Sequence, residues 1–69
     1  MIKIKRETII KVGDKLIHEK SKDEWKISKI EGLTFYFKDK SGKEYAMTKF
    51  ALMTSPDMKL KLADDRGYY

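Results

Sequence analysis

The feature that most constrains the fold is a strict alternation of apolar and polar residues on both sides of a loop that contains glycine. In the stretch LTFYFK every second residue is apolar, the polar loop DKSG follows, and the stretch EYAM soon resumes the alternation. A period of two places alternate side chains on opposite faces of a β-strand. The pattern therefore predicts a β-hairpin. Its inward face would be formed by Leu33, Phe35, Phe37, Tyr45 and Met47.

Shorter alternating segments before and after the hairpin predict further strands, and no ten-residue stretch has apolar residues at helical spacing. The alternation slips near Ser28-Lys29, where a bulge is needed to keep Ile30 on the inward face. Phe50 and Met53 lie three residues apart, which predicts a single 3₁₀ or α-helical turn near residues 49–53. The predicted fold class is all-β, with about five antiparallel strands.

The segment VGDKLIH, from Val12 to His18, is similar to the entry strand of SH3-like small barrels, including KOW, Tudor-like and CarD-type RNA-polymerase-interacting modules. The order of elements resembles such a barrel over about residues 13–63. The resemblance implies a small five-stranded barrel. Alternation before it predicts an N-terminal strand or arm (1–12), and the lack of periodicity after it predicts a flexible tail (64–69). It supplies no binding residues, because KDE at 22–24 stands where those modules usually have a glycine-rich segment.

Length and composition limit the possible classes of activity. A chain of 69 residues forms one domain. Its net charge of +5 favours polyanionic partners. Fourteen of its sixteen basic residues are lysine, however, and an A/T-rich genome also produces such a bias. The chain contains no cysteine, so we expect no disulfide and no thiolate metal site, and a reducing, cytoplasmic location. No apolar stretch approaches the ~20 residues that span a bilayer, so no membrane association is expected.

No pattern predicts an enzyme, a metal site or a cofactor. The single histidine, His18, is followed by Glu19, and adjacent residues of a strand point to opposite faces. The paired carboxylates at 23–24 and 64–65 fall in predicted loops, without the apolar surroundings that raise a carboxyl pKa. The four glycines are scattered one per turn, so there is no phosphate-binding loop.

Aromatic residues interleaved with lysines give the candidate binding surface. Exposed rings stack on bases, and nearby cations hold phosphates. Tyr36 points away from the predicted core, and Trp25 lies at an open end of the barrel. The predicted binding residues are Tyr36, Trp25, Lys26, Lys38, Lys43 and Lys49, the last two at the rim. In the alternative interpretation Trp25 caps the barrel end and Tyr36 only covers a sheet face, while the core contains Phe35, Phe37, Tyr45 and Phe50.

The sequence therefore predicts a non-catalytic binding module. A protein partner is favoured, as for a small phage- or mobile-element-type regulator that acts by protein–protein interaction. A nucleic-acid-binding module that uses a face of lysines and aromatic residues is the alternative. A third possibility is a structural subunit whose edge strand at residues 2–6 adds to a neighbour's sheet. The oligomeric state is left open.

Overall fold

The computed structural model describes residues 1–63, which form one antiparallel sheet of six strands and one short helix. In chain order the elements are β1 (Ile2–Lys3), β2 (Lys15–His18), β3 (Glu24–Glu31), β4 (Thr34–Lys38), β5 (Glu44–Thr48), α1 (Lys49–Thr54) and β6 (Met58–Lys61). The strand order across the sheet is β1-β6-β2-β3-β4-β5. The predicted all-β class is confirmed. The tail predicted at 64–69 lies outside the described residues.

The sheet is open. Its edge strands are β1 and β5, and within residues 1–63 these two strands are not hydrogen-bonded to each other. A closed SH3-like barrel therefore stays a prediction. The N-terminal segment predicted as a strand or arm packs on the same core as the rest of the chain, because β1 pairs with β6 and the side chains of Ile4 and Ile10 are buried.

The predicted hairpin is present as β4 and β5. Phe35 lies opposite Met47, and Phe37 lies opposite Tyr45. The connecting loop runs over residues 39–43, one residue longer than the predicted DKSG loop, and its Gly42 has a φ of 90°, which a residue with a Cβ rarely adopts. The predicted bulge is also present, since the register of β3 against β4 shifts between Ile27 and Lys29.

Two residues predicted to face the core are exposed instead. Leu33, with 71% of its surface exposed, sits with Gly32 in the two-residue turn between β3 and β4 rather than in the strand. Phe50, 73% exposed, lies in α1, where Leu52 is the residue turned inward at 1% exposure. The expected helical turn is present as an α-helix of six residues, and a helix this short buries one narrow side against the sheet.

The hydrophobic core fills the concave side of the sheet. Its most buried side chains, Leu16, Ile27, Leu52 and Leu60, come from β2, β3, α1 and β6. The buried members around them are Ile4, Ile10, Phe35, Phe37 and Met58. The strands thus present their alternate residues, which are mostly polar, on the opposite side, called the outer face below. The described helix is not long and apolar enough to cross a membrane.

Candidate functional site

Four lysines form a continuous row across the outer face, one from each of four adjacent strands. Lys15 of β2 lies opposite Lys61 of β6 on one side and opposite Lys26 of β3 on the other, and Lys26 lies opposite Lys38 of β4. All four side chains are exposed. Residues directly opposite each other in a sheet point to the same side, with neighbouring strands ~4.8 Å apart. This lysine row therefore spans roughly 14 Å.

More lysines flank the lysine row. Lys3 pairs with Lys59 on one side of it, and Lys29 pairs with Tyr36 on the other. Alternation along the strands places all of these residues on the outer face. In total the six strands contribute seven outer-face lysines and three glutamates: Lys3, Lys15, Lys26, Lys29, Lys38, Lys59 and Lys61, with Glu24, Glu31 and Glu44.

Carboxylates lie beside two of the four lysines of the row. Glu24 lies 3.8 Å from the Lys15 ammonium, with both side chains more than 40% exposed, and Glu44 pairs with Lys38 at the edge of the sheet. Glu31 lies 2.7 Å from the ammonium of Lys29, which lies outside the row. Its hydrogen bond and negative charge raise the pKa of Lys29 above its ordinary value. Lys26, in the middle of the row, has no ion pair within residues 1–63.

Tyr36 is half-buried on the outer face, in β4, one strand in from the edge of the sheet. The Lys29 ammonium lies 5.5 Å from the centroid of its ring, within the range of a cation–π contact. In β5 the residue opposite Tyr36 is Ala46, the smallest residue of that strand. The side of the Tyr36 ring that faces β5 is therefore not covered by a large side chain. A planar group approaching Tyr36 meets a ring with a cation beside it.

Trp25 lies on the concave side, on the opposite face of the sheet from Tyr36. Its ring makes edge-to-face contacts with Phe37 and Tyr45, at centroid distances of 6.0 and 6.3 Å. This aromatic cluster lines a groove of about 480 Å³ between β5 and the segment 54–58 that leads into β6. Trp25 and Tyr36, which the sequence groups as one candidate surface, cannot contact the same small ligand.

The two lysines predicted at the rim differ from those of the lysine row. Lys43 belongs to the β4–β5 loop, and its ammonium lies 5.3 Å from the centroid of the Tyr45 ring. Lys49 is half-buried at the start of α1, and its ammonium donates a hydrogen bond to the carbonyl of Thr8. Of the six predicted binding residues, the structure brings together Lys26, Lys38 and Tyr36, and it separates from them Trp25, Lys43 and Lys49.

The sequence analysis missed Lys15, Lys29 and Lys61 as members of the candidate site. Each sits at a polar position of an alternating strand, which is a signal visible in the sequence. Their alignment depends on the pairing of β2 between β3 and β6, and that order cannot be obtained from alternation alone. In the order found, lysines far apart in the chain become neighbours.

His18 takes part in a small polar cluster at the end of β2. The backbone N–H of Ser21 donates to His18 Nδ1, and the Ser21 hydroxyl donates to an Asp23 carboxylate oxygen. In a Ser-His-Asp triad the acid contacts the histidine, whereas here it contacts the serine, so the cluster does not have the arrangement of a nucleophilic site. Among residues 1–63 no group of three or more potential ligands could hold a metal ion.

No protein-family model, no curated protein and no solved structure gave a significant match to the chain.

Proposed function

We propose that the protein is a nucleic-acid-binding module that tracks the phosphate backbone with its outer face. The observation that carries this proposal is the lysine row, in which cations of four adjacent strands stand directly opposite one another. Like charges opposite each other across strands destabilise a sheet. A polyanion lying along the row relieves that repulsion.

The dimensions of the row fit a phosphate backbone. One strand of B-DNA carries a charge every 3.4 Å along the helix axis, so a row of roughly 14 Å is matched by about four phosphates. Lysine contacts phosphate as a point charge on a flexible stem, without the bidentate geometry that arginine uses to recognise guanine. The outer-face cations of the six strands are all lysines. Binding is therefore proposed to tolerate any base sequence.

Tyr36 gives the proposed site a stacking surface beside the lysine row. It follows Phe35 and precedes Phe37 in β4, and its neighbour Lys38 belongs to the row. A nucleotide whose phosphate contacts Lys38 or Lys26 can place its base toward the Tyr36 ring, as bases do on aromatic side chains of other single-strand-binding sheets. Unpaired bases are available for this contact only in single-stranded DNA or RNA, which is therefore the favoured ligand.

Fluorescence anisotropy with labelled single-stranded DNA, RNA and duplex DNA tests the proposal. Neutralisation of about four phosphates predicts that affinity falls roughly 50-fold for a single strand, and roughly 150-fold for duplex DNA, between ~50 and ~200 mM salt. The double variant K26Q/K38Q should lower the number of phosphates that the protein neutralises by about two, and so make binding less dependent on salt. Tyr36→Ala should weaken single-strand binding by ~1–3 kcal/mol per stacked base, with little effect on duplex binding.

The matched control is K20Q/K22Q, which removes the same two charges from the exposed segment between β2 and β3. It should leave affinity within about twofold of the unsubstituted protein, because exposed charges beyond a Debye length of ~10 Å are screened. If K26Q/K38Q and K20Q/K22Q have equal effects, binding reflects net charge and not the lysine row. The absence of binding at ~50 mM salt would refute the proposal.

A protein-binding regulator, of the phage- or mobile-element type that the sequence analysis favours, is the second candidate. Leu33 and Phe50 are the two most exposed large apolar residues of the described chain, and the backbone N–H of Lys49 donates to the Leu33 carbonyl at 2.8 Å, which brings the β3–β4 turn beside the start of α1. Apolar residues exposed side by side are typical of protein-interaction sites.

The two candidates are separated by pairing variants of these two surfaces. The double variant L33S/F50S should abolish capture of a protein from host-cell extract and leave nucleic-acid affinity unchanged. K26Q/K38Q should have the opposite effects. A protein that is captured equally by both variants and by the unsubstituted chain binds elsewhere, and the surface formed by Leu33 and Phe50 would then be the wrong one. Capture of no protein by the unsubstituted chain would contradict the second candidate itself.

A further inference from the structure

The strand β5 (Glu44–Thr48) is an edge strand with little of the usual protection of an edge, which is limited to the charge of Glu44 and to the segment 54–58 on the other side of the groove. Natural edges are blunted by short length, lysine or proline, because unpaired backbone groups recruit other strands. The opposite edge, β1, has two residues, of which one is Lys3. The sequence analysis placed the interacting edge in this region, at residues 2–6, but Ile4 is buried in the core there. By contrast β5 is five residues long and contains neither lysine nor proline.

The hydrogen bonds at the two ends of the β4–β5 ladder define which groups of β5 point outward. The Asp39 N–H donates to the Lys43 carbonyl, and the Lys49 N–H donates to the Leu33 carbonyl. Bonded and non-bonded pairs alternate in an antiparallel ladder, so the residues of β5 that bond to β4 are Tyr45 and Met47. The N–H groups of Glu44, Ala46 and Thr48 therefore point to the free edge, and outside the sheet none of them donates a hydrogen bond within residues 1–63.

We propose that β5 pairs with β5 of a second copy of this chain, antiparallel and about a two-fold axis at Ala46. In the register that overlaps all five residues, Ala46 lies opposite Ala46 of the second copy, and Glu44 lies opposite Thr48. These are the residues whose backbone groups point outward, so the register agrees with the hydrogen-bonding pattern. The Thr48 carbonyl already receives the first bond of α1, since Thr48 is its N-cap. Four backbone hydrogen bonds between the two copies do not need the Thr48 carbonyls.

The side chains of the two edges are complementary in this register. Tyr45 lies opposite Met47 of the second copy, and both residues are only half-buried in the single chain. An aromatic ring and a thioether make a favourable contact, and cross-strand apolar pairs stabilise a sheet. Glu44 faces a neutral threonine, so no like charges oppose each other. A shift of the register by one residue would place residues whose backbone groups point to the free edge opposite residues whose backbone groups point to β4. It would also put side chains of the outer face of one copy beside side chains of the concave side of the other.

Pairing of this kind joins the outer faces of the two copies on the same side of one continuous sheet, because residues opposite each other point to the same side. The interface itself rests on β5 alone and is independent of the proposed nucleic-acid binding. If both are correct, a dimer presents two lysine rows to one polyanion. The tests below measure association without nucleic acid, so that each proposal can fail separately.

Cysteine cross-linking tests the two-fold register directly, because the chain has no native cysteine to confuse the result. Hydrogen-bonded antiparallel pairs have Cα atoms ~5.5 Å apart, which is within the range for a disulfide. Under mild oxidation Ala46→Cys should form a covalent dimer. Glu44→Cys alone is the matched control, since its two copies would lie four residues apart along the strand, or roughly 13 Å. A mixture of Glu44→Cys and Thr48→Cys should cross-link to each other.

Light scattering of the unsubstituted protein supplies the second measurement. The mass should rise with concentration from 8.2 kDa toward twice that value, and Ala46→Lys, which puts two ammonium groups side by side on the axis, should remain at the monomer mass. Circular dichroism confirms that each variant is folded. Equal cross-linking of Ala46→Cys and Glu44→Cys would overturn the proposal. So would a constant monomer mass up to millimolar concentration.

Discussion

Lys26 of β3 lies directly opposite Lys38 of β4, and on its other side it lies opposite Lys15 of β2. Two like-charged neighbours across strands make this position unfavourable in the free protein, because directly opposed charges of the same sign destabilise a sheet. The arrangement implies that stability and the proposed binding conflict at Lys26.

The first prediction follows from that conflict. Lys26→Glu should raise the free energy of unfolding by about 0.5 kcal/mol at low salt, because it replaces two repulsive cross-strand pairs with attractive ones. The gain should shrink at ~1 M salt, where the Debye length is ~3 Å. Urea denaturation followed by circular dichroism measures the change, with Lys20→Glu as the control. The same variant should lose nucleic-acid affinity. Equal stability changes at positions 20 and 26 would show that only net charge matters.

The second prediction concerns two residues of α1 that sequence alone does not distinguish. Leu52→Ala should lower the free energy of unfolding by about 3 kcal/mol, because Leu52 is a fully buried member of the core. Phe50→Ala should change it by no more than about 0.5 kcal/mol, because the Phe50 side chain is mostly exposed. Urea denaturation of both variants measures the difference. A larger loss for Phe50→Ala than for Leu52→Ala would contradict the orientation of α1.

The features of the fold that the sequence predicted correctly are local ones. The pairs Phe35–Met47 and Phe37–Tyr45 follow from alternation and a short loop, and the bulge between Ile27 and Lys29 follows from a slip in the same alternation. Both features involve residues close together in the chain. Period-two patterning defines such features because it needs no knowledge of distant partners.

The features that the sequence did not predict depend on where a strand ends or on residues far apart in the chain. Leu33 continues the alternation of β4, yet the chain reverses at Gly32 and Leu33 itself, so the pattern extends one residue past the strand. In α1 the choice between Phe50 and Leu52 depends on how the helix meets the sheet. The lysine row requires β2 to lie between β3 and β6, a non-local pairing that places Lys61 beside Lys15.

The third prediction concerns Asp14, whose carboxyl group is buried. One carboxylate oxygen accepts from the Lys11 N–H and the other from the Ala63 N–H, both at 2.9 Å, and the Ile27 N–H donates to the Asp14 carbonyl. The carboxylate thus joins the turn before β2 to the chain after β6.

Asp14→Ala should lower the free energy of unfolding by about 2–3 kcal/mol, because two backbone N–H groups lose their acceptor. Asp14→Asn, which keeps one of the two oxygens, should cost less. Urea denaturation of the two variants measures both effects. If Asp14→Ala costs less than about 0.5 kcal/mol, the hydrogen bonds of this carboxyl group are not a source of stability.

The fourth prediction concerns pH and the loop between β4 and β5. Asp39 accepts hydrogen bonds from the Ser41 hydroxyl at 2.6 Å, from the Lys43 backbone N–H at 3.0 Å and from the Tyr45 hydroxyl at 3.2 Å. The Ser41 hydroxyl contributes most, and together these donors hold the pKa of Asp39 below its ordinary value of 3.8.

A pKa that is lower in the folded state than in the unfolded state means that the ionised carboxylate stabilises the fold. The contribution should be complete above the ordinary pKa of 3.8 and should be lost as the pH falls through the lowered pKa of the folded protein. The difference in thermal midpoint between the unsubstituted protein and Asp39→Asn, which keeps one oxygen acceptor but cannot ionise, should therefore be constant at neutral pH and should diminish in that acidic window. NMR titration of the Asp39 carboxyl carbon gives the pKa directly, and a value at or above 3.8 would show that the loop does not stabilise the ionised form.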